Sequence, residues 1–73
     1  MQWLDFDPKF KVDYFYADGW MVKAEVTHGT ELIESFYGNH PDWRVQDFMR
    51  GVEYATNLRL EIEEVHHGVD NEI

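Results

Sequence analysis

The sequence predicts an α+β protein: a small antiparallel or mixed sheet with two helices packed on one face, in the order ββααβ. Three features lead there. Residues 10–17 and 20–27 alternate apolar and polar side chains, as half-buried strands do. Residues 41–56 repeat apolar side chains at helical spacing. Leu58, Leu60 and Ile62 then alternate with Arg59, Glu61 and Glu63, as a last strand would. Alternation on every strand fits a sheet that is covered on one side only.

In the first strand Phe10, Val12, Tyr14 and Tyr16 share one face, and Lys11, Asp13 and Phe15 the other. In the second, Trp20, Val22, Ala24 and Val26 oppose Met21, Lys23, Glu25 and Thr27. A two-residue Asp18-Gly19 turn is the commonest kind of connection. In a regular ladder, however, it would set Tyr14 against Lys23 and Val12 against Glu25, mixing the faces. A three-residue loop, Ala17-Asp18-Gly19 with Gly19 left-handed at a bulge, restores parity. Tyr16 then faces Trp20, Tyr14 faces Val22, Val12 faces Ala24 and Phe10 faces Val26, while Lys11 meets Glu25 and Asp13 meets Lys23. Apolar and opposite-charge pairs of this kind stabilise sheets, so this is the expected register.

Residues 30–37 fit a short helix: Leu32, Ile33, Phe36 and Tyr37 form one stripe, Thr30 suits the N-cap, Glu31 the first turn and Gly38 the stop. A third strand after a His28-Gly29 turn is the alternative, and would make the order βββαβ. A longer helix follows over 41–56. Asn39 or His40 caps it, Pro41 suits its first turn and Asp42 complements its dipole. Val45, Phe48, Met49, Val52 and Ala55 make its buried stripe, and Asn57 ends it. Gly51 lies mid-helix at a cost of about 1 kcal/mol relative to Ala, which a close approach of the backbone to the sheet would explain. Residues 1–65 read as one domain. Residues 66–73 have no pattern and are expected to form a mobile tail. Residues 2–6, with Trp3, Leu4 and Phe6, are expected to add an edge strand or a plug.

Composition narrows the function. The chain of 73 residues carries three Trp, four Tyr and five Phe, too many aromatics for a disordered segment. It has no cysteine, so neither a disulfide framework nor a thiolate zinc site is available, which fits a cytoplasmic setting. The first residues, Met1-Gln2-Trp3-Leu4-Asp5, lack the basic and apolar regions of a signal peptide, and no apolar run is long enough for a membrane span. Fifteen acidic residues against six basic ones give a net charge of −9. Lys9, Lys11, Lys23, Arg44, Arg50 and Arg59 are scattered rather than clustered. Direct binding of nucleic acid or of an anionic membrane is therefore disfavoured.

No motif for chemistry stands out. The four histidines, His28, His40, His66 and His67, show no chelating spacing, and adjacent strand residues such as His66 and His67 point to opposite sides. They read as exposed loop histidines, with no metal and no cofactor expected. Ser35 is the only serine, and no nucleophile elbow or phosphate-cradling glycine loop occurs. Carboxylate pairs such as Asp5 with Asp7, or Glu61 with Glu63, read as solvated faces of extended chain. A chain this short leaves little room for the roughly 300 Å³ that a small-molecule site needs. The expectation is a protein without enzymatic activity.

Two surface patches remain. Phe15 paired with Met21 on the outer face of the hairpin, with Trp20 nearby, would make an apolar contact. Glu61, Glu63 and Glu64 project from the last strand, with Asp70 and Glu72 in the tail. Carboxylates two apart on a strand are about 6.6 Å apart, close to two phosphate steps of a duplex strand. The expected function is thus that of a small acidic inhibitor. It would block a basic, nucleic-acid-binding surface of a partner protein by mimicry, with Phe15, Trp20, Met21, Glu61, Glu63 and Glu64 in contact. Phage-borne inhibitors of host defences, anti-restriction and anti-CRISPR proteins among them, share this size and charge, a likeness of style and not of motif. The alternative is a structural or assembly protein acting through strand pairing or homodimerisation.

Overall fold

The computed structural model describes residues 6–68. The elements are β1 (Lys9–Ala17), β2 (Trp20–His28), β3 (Glu31–Tyr37), α1 (Pro41–Thr56) and β4 (Glu61–His67). They form a four-stranded sheet in the order β3-β2-β1-β4. β1 pairs antiparallel with β2, and β2 with β3, whereas β4 lies parallel to β1. The fold is α+β with a mixed sheet and one helix. The expectation of two helices is corrected, and the observed order is the alternative, βββαβ.

A bulge explains why residues 31–37 resemble a helix in sequence. Val26 pairs with Glu34 but Thr27 pairs with Leu32, so Ile33 is an extra residue on β3. The inserted residue shifts the phase of the alternation. Leu32, Ile33, Phe36 and Tyr37 then fall at helical spacing although the backbone is extended.

The β1–β2 hairpin uses the same device. Its turn is the two-residue Asp18-Gly19, with φ of 55° and 82°, the pattern of a type I′ turn. Ala17 pairs with Trp20 and Tyr16 with Met21, but Phe15 pairs with Lys23. Val22 is the extra residue. Beyond it Tyr14 faces Ala24 and Val12 faces Val26, so the apolar faces coincide as expected while the individual pairings, and the three-residue loop, do not. The expected Lys11–Glu25 and Asp13–Lys23 pairs are replaced by ion pairs along single strands, Lys11–Asp13 at 4.0 Å and Lys23–Glu25 at 3.3 Å.

The core gathers Phe10, Val12 and Tyr14 from β1, Ala24 and Val26 from β2, Val45 and Met49 from α1, and Leu60. α1 packs chiefly on β2 and β3, where Phe48 meets Phe36 edge-on at 6.2 Å. Phe6, Phe10 and His28 stack at one end, and His28 Nε2 donates to the Asp7 carbonyl at 2.7 Å. α1 spans the residues expected of it. Its N-cap His40 and C-cap Asn57 are both left-handed, and the Asn57 N–H donates to the Glu53 carbonyl at 2.8 Å. Ala55 is exposed, and Thr56 is buried in its place with its hydroxyl donating to Val52 O at 2.7 Å. Gly51 is also exposed, and a methyl group there would meet nothing within 4 Å. The close backbone approach expected at this glycine is absent.

α1 carries the chain from β3, one edge of the sheet, to β4, the other. Three inter-strand gaps make that distance about 14 Å, and parallel strands require such a crossover. Arrival is fixed by two backbone donors: Leu60 N–H to Glu53 Oε2 at 3.1 Å and Glu61 N–H to the Pro8 carbonyl at 2.9 Å. His66 and His67 are the last residues of β4 rather than part of a tail or loop. Residues 69–73 of the expected tail, with Asp70 and Glu72, lie outside the described residues, as do Trp3, Leu4 and Asp5. Among the described residues no helix is long and apolar enough to cross a membrane.

Candidate functional site

The parallel register sets Glu61 beside Lys9, Glu63 beside Lys11 and Glu64 beside Val12. Alternation then puts Glu61 and Glu63 on the outer face of the sheet, and Ile62, Glu64 and His66 on the face that carries α1. All three acids are exposed. Among the described residues none of them forms an ion pair with Lys or Arg; Glu64 approaches only His66, at 3.8 Å. Three of the six bases are engaged elsewhere: Lys11 with Asp13, Lys23 with Glu25, and Arg50 with Asp47 at 3.1 Å.

Because α1 leans toward β2 and β3, a groove of about 220 Å³ stays open between α1 and β4. Its floor is Tyr14, Val45, Met49 and Ile62, and its rim includes Arg50, Glu53 and Glu64. Tyr14 is only 4% exposed, and its hydroxyl makes no hydrogen bond among the described residues. Among the described residues no wholly buried side-chain N or O atom lacks a partner, so this oxygen reaches solvent along the groove. Burial, then the nearby Glu64 and Asp42 carboxylates, push the Tyr14 phenol up to about 12. The sequence marks Tyr14 as a core-facing strand residue. That a buried phenol needs a partner is the signal that could have singled it out.

No family model, no curated protein and no solved structure matches this chain.

Two histidines clasp the end of β4, one on each face. His66 Nδ1 and the Tyr16 hydroxyl are hydrogen-bonded at 2.9 Å, and the His66 ring stacks on Tyr14 at 5.1 Å. His67 Nε2 donates to Asp13 Oδ1 at 2.8 Å, and its ring stacks on Phe15 at 4.7 Å. No group of three or more His, Asp or Glu side chains placed to hold a metal ion occurs among the described residues.

The structure does not assemble the apolar contact of Phe15 with Met21 expected at the hairpin tip. Past the bulge, Met21 sits opposite Tyr16 and packs against the core. Phe15 stays on the outer face, with Lys23 Nζ 4.5 Å from its ring centroid. Trp20 stands 75% exposed at the start of β2. Between the tip and the start of α1 lies an open hollow of about 530 Å³, lined by Trp20, Met21, Val22, Gly38, His40 and Asp42. That is more room than the chain length suggests. Phe15 pairs with His67, whereas Glu61 is at the far end of β4, about 20 Å away along the strand. Phe15 and Trp20 therefore lie apart from the acids of β4.

Proposed function

We propose that this protein binds and blocks a partner protein by covering a basic, nucleic-acid-binding surface with the acids of β4. The observation that carries this reading is the set of three exposed glutamates on an edge strand, none of them in an ion pair with Lys or Arg among the described residues. Fixed carboxylates on a rigid strand attract cationic groups, speed encounter and impose register. Glu61 and Glu63 share a face at a spacing of about 6.6 Å, near two phosphate steps, which suits imitation of a nucleic-acid backbone.

Affinity capture from a cell lysate tests the proposal. The protein should retain nucleic-acid-binding proteins, release them as salt is raised, and lose them to competing duplex DNA. Charge reversal in Glu61→Lys/Glu63→Lys should weaken retention by roughly tenfold or more. Undiminished retention by that variant would overturn the reading.

A second reading is self-assembly, favoured by the open edge at β3, where Leu32 is 53%, Ile33 38% and Tyr37 62% exposed. Strand pairing at this edge would bury those side chains. It calls for a mass that rises with concentration and is indifferent to changes at Glu61 and Glu63.

A further inference from the structure

We infer that the groove between α1 and β4 is a socket for one long cationic side chain, Lys or Arg, projecting from the basic partner. The inference rests on the proposed function, and names what that partner inserts.

Size, lining and charge each restrict the occupant. At about 220 Å³ the groove is smaller than the roughly 300 Å³ typical of small-molecule sites, but it can take a single side chain. Val45, Met49 and Ile62 give it an apolar floor, and Ile62 is 40% exposed with nothing covering it among the described residues. A polymethylene stem can lie along such a floor while its charged head stays among polar groups. Its polar lining includes three groups that can accept, from Tyr14, Glu53 and Glu64, beside Gln46 and Arg50. The Tyr14 hydroxyl has an oxygen free to accept, although 96% of the residue's surface is buried (4% exposed). Glu64 stands on the β4 rim and Glu53 on the α1 rim.

Arg50, the cation on the rim, is tied to Asp47 at 3.1 Å on the exposed side of α1. Glu53 gives Oε2 to the Leu60 N–H and keeps Oε1. An anion entering here would meet Glu53 and Glu64. An apolar side chain would close over the Tyr14 hydroxyl and leave it with no partner, which is costly. A Lys or Arg head donates to the phenol and to the carboxylates together, making charge-assisted hydrogen bonds on a desolvated floor. The acids of the outer face, Glu61 and Glu63, would hold neighbouring bases of the same partner.

The test uses the protein alone and three capped tripeptides, Gly-Lys-Gly, Gly-Arg-Gly and Gly-norleucine-Gly. NMR titration should show saturable shifts of the Val45, Met49 and Ile62 methyl groups and the Tyr14 ring with the Lys or Arg peptide, and none with the norleucine peptide. Tyr14→Phe and Glu64→Gln should each weaken the binding roughly tenfold, the worth of one charge-assisted hydrogen bond. The first removes a single oxygen and the second alters an exposed side chain; if one variant fails to fold, the other decides. The arginine peptide, which stays charged at high pH, should also make the Tyr14 phenol easier to ionise in an ultraviolet titration.

Equal shifts with norleucine, shifts confined to Glu61 and Glu63, or undiminished binding by the folded variants would each overturn the socket. Since no partner is needed, the two failures separate. A groove indifferent to Lys and Arg alongside salt-sensitive capture defeats the socket alone. A groove that binds them alongside failed capture defeats the blocking function alone.

Discussion

Replacing Gly51 with alanine should stabilise the protein. Gly51 lies within α1, its face is open, and a Cβ built there meets nothing within 4 Å. The variant therefore gains no contact and suffers no clash. What changes is the backbone entropy lost on folding, together with the helix propensity, worth about 1 kcal/mol between Gly and Ala in a helix interior. In a domain of this size 1 kcal/mol raises Tm by roughly 4–8 °C. Circular dichroism melts and urea titrations of the two proteins give the comparison. The urea midpoint should rise with an unchanged slope, since neither state alters the surface it exposes. An unchanged or lower Tm would refute the reasoning. It would show that the glycine is required by something touching that face of the helix.

Two further outcomes follow from the same geometry. Gly68→Ala should cost about 1–3 kcal/mol, the price of a strained backbone position: φ is 79° there, and an added Cβ would sit 2.9 Å from the Tyr16 carbonyl oxygen. Faster amide hydrogen exchange at Val65, His66 and His67 would report the loosened strand, and protection equal to wild type would contradict it. The Tyr14 phenol ionises at a higher pH in the folded chain than in the unfolded one. Its stabilisation is thus complete below pH 10 and is lost as pH rises toward about 12. The loss stays below the roughly 3 kcal/mol that a fully buried phenol would give, because the oxygen reaches solvent, and Tyr14→Phe should escape it. Urea melts at pH 9 and near pH 11.5 check this, and parallel losses in the two proteins would count against it.

The strands of the first hairpin, the helix 41–56 and, away from the hairpin tip, the side of the sheet that is buried are legible in the sequence, because each depends on local periodicity; at the tip the extra residue turns Met21 to the core and leaves Trp20 and Val22 exposed. Val12 and Val26, wholly buried, lie on the face that alternation assigns to the core. Register was not legible. A regular ladder disfavours the Asp18-Gly19 turn because it would mix the faces, but the chain keeps that turn and corrects the parity with an extra residue at Val22. The extra residue at Ile33 likewise hid β3. A bulge leaves no local mark, because its stability comes from the partner strand and the core beneath it. The groove is not legible in the sequence for a similar reason. Glu53, Tyr14 and Glu64 come from three separate segments, and only the lean of α1 toward β2 and β3 leaves a gap between them.

The parallel union of β1 with β4 also governs the time course of folding. β1, β2 and β3 follow one another through short turns, whereas Lys9 meets Glu61 only after more than fifty intervening residues. Contacts between neighbours close quickly, and closing so long a stretch of chain is slower. The meander should form first, with one side of β1 bare until β4 docks. Any delay at that step leaves Phe10, Val12 and Tyr14 beside an unpaired backbone, the condition under which a stray strand adds on and aggregation begins.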